Sequence, residues 1–422
     1  MTIEQTKLDN GLTVVSHNMP HLKTVSAGVW VASGSRHERA DEHGISHLLE
    51  HMAFKGTPHR SPQQIAEEIE QVGGDLNAAT SLELTAYYVR VLEGDDEMAM
   101  AILSDILTEP SLDEHELERE KEVVLQEISG IQDVPDEIAY DLVQDAAFTA
   151  QSVGRPVIGT PQSVSSFTRH NLEAMLKRQY VPSRMVISAA GAIHHDDLVR
   201  HASAKFGILP EGEGENGAPA RFIGGVRGCE REFGQNHLLL GFESPSYCDP
   251  RFYACQVFSG ILGGGMSSRL FQEAREKRGL CYSVYSSAWG LIDNGMFNVH
   301  AATGEEQLDE LRSVIIDELN RAANEQPTVR ELERAKAGLK AGLLMSLESS
   351  SARAEQMARQ LIGFDRLLEV GELIESVEAV TPEDVRLFAE TIAGATNPAV
   401  AVVGCGASSS EVARETLHRL AA

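Results

Sequence analysis

Two histidines and a glutamate fall within five residues in His47-Leu-Leu-Glu-His51. On a helix, residues i and i+4 share a face with Cβ atoms about 5–6 Å apart, so His47 and His51 can aim two imidazoles at one metal ion. Glu50 lies at the edge of the same face. It can take a proton from water on that metal without being a ligand, because zinc lowers the pKa of such a water toward about 7. The order is HxxEH, the inversion of the commoner HExxH. Residue types alone leave a second reading open, a surface helix whose histidines are solvated or satisfied in the core.

A catalytic metal of this kind needs a third protein ligand and one open position. Candidates lie in Glu118-Arg-Glu-Lys-Glu-Val-Val-Leu-Gln-Glu127, where Glu120 and Glu127 are two helical turns apart and so share a face. Val123, Val124 and Leu125 make this stretch more apolar than the one before it. A carboxylate beside buried apolar surface needs a partner, and a metal is one. An exposed charged helix is the alternative, above all for Glu120.

The elements that must hold these residues read as α+β, with helices against a mixed or antiparallel sheet. Residues 12–16, 25–32 and 84–92 alternate like strands. Residues 44–54, 98–107 and 111–131 read as helices, and Ser61-Pro62 opens another that Gly73-Gly74 closes. Gly263-Gly-Gly265 fits no phosphate-loop pattern and reads as close packing at a helix start. The stretch PEGEGENGAP, from Pro210 to Pro219, has no apolar periodicity and reads as a linker. The segments it separates share features. Glu116-Leu-Glu-Arg-Glu-Lys121 returns as Glu331-Leu-Glu-Arg-Ala-Lys336, an offset of 215. Ser163-Val-Ser-Ser-Phe-Thr168 returns as Ser376-Val-Glu-Ala-Val-Thr381, and both are followed by strand-like runs, at Met185 and Ala399. Matched features in one order predict a duplicated domain.

The 422 residues are enough for two domains, and 42% hydrophobic with 23% charged residues is ordinary for a globular chain. Lysine and arginine number 36 against 63 acidic residues, a net charge of −27. Such a chain repels phosphate backbones and anionic membrane surfaces and favours cationic partners. No run approaches the roughly 18 apolar residues of a membrane span, and the first residues do not read as a signal peptide. The five cysteines include no CxxC and none precedes Cys229, so disulfides are not expected and a reducing cytoplasm is.

Four stretches together resemble the pitrilysin-type zinc peptidases, the family of mitochondrial processing peptidase and insulin-degrading enzyme, closest to the processing-peptidase branch and its bacterial relatives. They are HLLEHMAFKGT from His47, GGDLNAATSLELTAYYVRV from Gly73, EREKEVVLQEI from Glu118, and LGGGMSSRLFQEAREKRGLCYSVYS from Leu262. The resemblance implies one zinc per chain on His47, His51 and Glu127, with Glu50 as general base. It implies that Glu120 orients a ligand histidine from behind. Asn77 and Ala78 match the strand edge on which a substrate peptide lies. Arg275 and Tyr282 match a pair near the scissile bond, Tyr282 donating to the oxyanion and Arg275 holding a backbone carbonyl. At the 215 offset Glu120 becomes Ala335 and Glu127 becomes Gly342, so the second copy has lost its ligands. The expected domains are 1–209, catalytic and zinc-binding; 210–220, the linker; and 221–422, a degenerate copy that contributes substrate-binding residues. The expected activity is endoproteolysis of short or unstructured peptides, basic ones favoured, by a homodimer that forms a chamber. The competing expectation is a non-catalytic assembly subunit of the same fold.

Overall fold

A computed structural model describes residues 2–420, which divide into two compact units. The first contains a six-stranded sheet in the order β1-β2-β6-β3-β5-β4. Its strands are β1 (Ile3–Lys7), β2 (Thr13–Asn18), β3 (Thr24–Val31), β4 (Asp75–Thr80), β5 (Thr85–Leu92) and β6 (Met185–Gly191). All neighbours are antiparallel except β2 and β6. Alternate residues point to opposite faces, and both faces are apolar. Val25, Ala27, Val29 and Val31 join Tyr87, Val89 and Val91 in one core, which also takes Ile45, Leu48, Leu49 and Met52 of the helix Ile45–Ala53. Val15, Trp30, Ala86 and Val186 form the other core with Ala354, Met357, Ala358 and Leu361. These last four residues lie on the helix Ser350–Phe364, and the Ser188 hydroxyl donates to the Ala354 carbonyl at 2.7 Å.

The second unit contains a four-stranded sheet, β10-β7-β9-β8, of β7 (Gly225–Ser244), β8 (Cys281–Gly290), β9 (Gly295–Thr303) and β10 (Ala399–Cys405). The long β7 meets β10 twice. Val400 and Val403 pair with Val226 and Cys229 in the parallel sense, and again with Leu240 and His237 in reverse order. Strand β7 thus folds back, and β10 lies between its two arms. The second arm pairs antiparallel with β9, and β9 with β8. This succession of one parallel and three antiparallel pairings repeats β2-β6-β3-β5-β4, which is the duplication expected from the matched sequence features. The helix Pro135–Ala147 packs on β7 and β10.

The units are not the contiguous stretches 1–209 and 221–422. The first takes in Leu344–Leu367 and the second takes in Ser129–Arg155. The reason is that each sheet is buried on both faces and each half covers only one. The second face is closed by a helix from the other half of the sequence. The exchanged helices start at Pro135 and Ser350, an interval equal to the repeat offset of 215. The boundary between Ala218 and Pro219 does fall inside the expected linker.

Gly263 closes the helix Phe252–Leu262 rather than opening one. Close packing is nevertheless its reason, since a Cβ there would come within 2.3 Å of the Ser286 nitrogen. All five cysteines are free. Among the described residues no helix is long and apolar enough to cross a membrane.

Candidate metal centre

The helix Ile45–Ala53 buries Ile45, Leu48, Leu49 and Met52 on one stripe. The spacing i, i+3, i+4, i+7 uses up the core face and turns His47, Glu50 and His51 to the other side. Its N-terminus is held by a buried carboxylate. Glu38 accepts from the Gly44 and Ser46 amides, each at 2.9 Å. Gly44 itself has φ +92°, and a Cβ there would come within 2.6 Å of the Gly159 Cα, so only glycine fits.

The helix Glu114–Ile131 brings the acidic residues to the histidines. Glu120 is 6% exposed. One of its oxygens meets His51 Nδ1 at 3.0 Å and the other accepts from Lys55 Nζ at 2.8 Å. Two turns on, Glu127 is exposed and places Oε2 3.9 Å from His47 Nε2 and 3.6 Å from His51 Nε2. The two imidazole rings are 4.7 Å apart by centroid.

Glu50 lies on the ligand face and is mostly buried. Burial raises its pKa, against the opposing influence of Thr80 and His51. Its Oε2 and the Nδ1 of His47 are buried without a hydrogen-bond partner. Burial, reinforced by the His51 charge, pushes the His47 pKa down to about 4, so the ring is neutral, with a lone pair to give, at physiological pH.

These side chains fit a zinc ion. His47, His51 and Glu127 converge as two nitrogens and one oxygen. Separations of 3.6 and 3.9 Å exceed a hydrogen bond. They are near the spacing of donors around a tetrahedral ion with bonds of about 2.0–2.1 Å, roughly 3.3 Å. Imidazole and carboxylate are ligands that zinc accepts. The exposed Glu127 leaves one side of the group open.

Of the residues expected from the sequence, His47, Glu50, His51, Glu120 and Glu127 come together in the first unit. Asn77 and Ala78 lie in β4, the edge strand of that unit's sheet. Arg275 and Tyr282 belong to the second unit and pair with each other, the guanidinium 4.6 Å from the Tyr282 ring centre and 4.7 Å from that of Phe271. Tyr282 is 76% exposed because the β8 register slips between Cys281 and Ser283. The slip leaves it as the unpaired residue of a bulge. Ala335 falls on the helix Val329–Ser346, the counterpart of Glu114–Ile131, where no carboxylate replaces Glu120 or Glu127. Sequence reading missed Glu38 and Lys55. Lys55 had little signal, since it lies just past the C-terminal end of the helix that carries His51. Glu38 had none, because it reaches the helix from a loop.

Residues 13–161 match the family described as Insulinase (Peptidase family M16), and residues 166–339 match the Peptidase M16 inactive domain. A protein of Rickettsia bellii named as an uncharacterized zinc protease is 37% identical over 380 residues, 90% of this chain and 92% of that protein. A Bacillus subtilis protein, also named as an uncharacterized zinc protease, is 36% identical over 92% of this chain and 95% of its own length. The crystal structure of a protease from Helicobacter pylori has the same fold, with a TM-score of 0.89 at 22% identity, and covers 95% of this chain and 99% of that one.

Proposed function

The chain belongs to the insulinase family, peptidase family M16, and from that premise we propose that it is a zinc endopeptidase of short or unstructured peptides. The observation that carries the reading is the convergence of His47, His51 and Glu127, with Glu50 beside them and Glu120 behind His51. A zinc ion held there would polarise the substrate carbonyl and acidify water. Glu50 takes a proton from the attacking water as its oxygen bonds to the carbonyl carbon. The same carboxyl then gives the proton to the leaving nitrogen as the C–N bond breaks. Glu120 accepts from His51 Nδ1 and so keeps the His51 Nε2 lone pair turned toward Glu127. The outer edge of β4 at Asn77 and Ala78 receives the substrate as an added strand, held by backbone hydrogen bonds, with the Asn77 side chain giving up the Ala78 amide that it accepts from. Arg275 and Tyr282 take the substrate-holding roles that the family resemblance implies.

The finer proposals are a homodimer whose copies enclose the substrate, a preference for basic peptides and a cytoplasmic location. The net charge of −27 supports the second, since a cavity lined by one sign of charge concentrates the other. The five free thiols support the third. The test is digestion of a peptide mixture with and without chelator, read by mass spectrometry. Cleavage abolished by chelation and restored by zinc supports the reading. Chelator-resistant cleavage, or none at any zinc level, overturns it and favours a non-catalytic subunit. Light scattering at working concentration tests the dimer, and a matched pair of basic and acidic peptides at low and high salt tests the charge preference.

A further inference from the structure

The second unit gathers a different set of donors. Asp136 stands in the first turn of the exchanged helix Pro135–Ala147, His237 on the second arm of β7, and His300 on β9. In the antiparallel ladder Leu239 faces His300, so His237 and His300 are diagonal neighbours on one face of the sheet. That is the face on which the exchanged helix packs. Asp136 Oδ1 is 2.6 Å from His237 Nδ1 and 3.4 Å from His300 Nε2, and the two ring nitrogens are 3.3 Å apart. His237 and His300 are 5% and 1% exposed, whereas the Asp136 side chain is 55% exposed. The buried rings fix their nitrogens, and the carboxylate closes the group from the solvent side.

We propose that Asp136, His237 and His300 form a second metal site, for a divalent transition ion such as zinc or cobalt, which fastens the exchanged helix to its sheet. A tetrahedral ion with bonds of about 2.0–2.1 Å needs donors roughly 3.3 Å apart. Two of the three separations have that value already. The third, 2.6 Å, opens by a small shift of the exposed Asp136 carboxylate. Two imidazoles and one carboxylate suit zinc and its neighbours and do not suit magnesium or calcium, which take oxygen ligands. Tyr140 lies stacked on the His300 ring, with centroids 6.0 Å apart, and holds its plane.

The surroundings leave polar capacity unused. His300 Nδ1 is buried without a partner, and so are both amide atoms of Asn298, two residues earlier on the same strand. A ligand histidine without a partner for its outer nitrogen binds metal less tightly than one that has one. In this respect His300 resembles His47, whose Nδ1 is also buried without a partner, and differs from His51, which has Glu120 behind it.

The test removes the first site and asks what remains. A His47→Ala, His51→Ala double variant is stripped with EDTA and titrated with Co²⁺, followed by its visible d–d absorption, and with Zn²⁺ by calorimetry. The expected result is one bound equivalent, with Mg²⁺ unable to compete. Adding Asp136→Asn or His300→Gln weakens uptake by more than about 100-fold, beyond the loss seen for outer-shell changes. Asp136 is exposed, so its variant folds even where a change at the buried His300 does not. No uptake by the double variant, or uptake unaffected by Asp136→Asn, overturns the site and leaves a hydrogen-bonded cluster without metal. Because both first-site histidines are absent throughout, the outcome is independent of the peptidase reading.

Discussion

Glu120→Ala separates holding a metal ligand from doing the chemistry. The variant removes a buried carboxylate shared between His51 Nδ1 at 3.0 Å and Lys55 Nζ at 2.8 Å. Lys55 is 29% exposed along its side chain and turns to water. His51 has no such recourse. Without an acceptor at Nδ1 its proton is free to sit on Nε2, the nitrogen that must face Glu127 with a lone pair. Removal of an outer-shell partner costs about 10–100-fold in metal affinity, or about 1.4–2.7 kcal/mol. The assay is competition for zinc against a chromophoric chelator at pH 7.5, with turnover measured at saturating zinc. Zinc affinity falls by that factor, while kcat at saturation falls far less than in a variant lacking Glu50. An affinity within about twofold of the parent would refute the reasoning, because a buried partner of a ligand histidine cannot be removed without cost if it sets the tautomer.

Glu50→Gln keeps the volume and the bound zinc but loses about 10²–10⁴-fold in kcat, and near-normal peptide cleavage by this variant would show that the proton goes elsewhere. Glu38→Ala leaves the Gly44 and Ser46 amides buried and unpaired, so thermal unfolding of the apo protein records a loss of about 2–3 kcal/mol; an unchanged midpoint would rule out Glu38 as the helix cap. Asp141 carries a pH effect: burial and the like charge of Glu137 raise its pKa to about 6 from the ordinary 3.8. A carboxyl with a raised folded pKa ionises more easily in the unfolded chain, so stability falls as pH climbs from about 4 to about 6 and stays lower above that. Asp141→Asn therefore stabilises the apo protein by about 3 kcal/mol at pH 7.5 and by almost nothing at pH 3.5; urea unfolding that shows the same difference at both pH values would contradict it.

The first site was legible because its signals are local. An i, i+4 histidine pair on a helix whose apolar stripe occupies the other face leaves one direction for the imidazoles, and Glu120 and Glu127 are joined by the same helical arithmetic. Strands β2, β3 and β5 of the first sheet were legible for the same reason, in a period of two, whereas β1 was not. What escaped the sequence was everything set by pairing between distant segments. Tyr282 projects because of a register slip that no residue type announces. Glu38 caps a helix across a loop. Asp136, His237 and His300 share a sheet face only through the β7–β9 register and a helix drawn from the other half of the chain. No local spacing of the HxxEH kind joins them, since they stand at positions 136, 237 and 300. The exchange of helices was hidden too, because the repeat offset is the same whether each copy keeps its own helix or takes its sibling's.

That exchange sets a clock on synthesis. The last strand of the first sheet ends at Gly191, but the helix that covers its second face is complete only at Phe364. At about 5–20 residues per second the ribosome needs roughly 10–30 s to make the difference. Throughout that interval Val15, Trp30, Ala86 and Val186 have no lid of their own. Bare apolar sheet of this kind is what chaperones bind and what aggregates if they do not. A gene cut at the Pro210–Pro219 linker would make the interval permanent for both products, each released with one sheet face open and carrying the helix that belongs to the other.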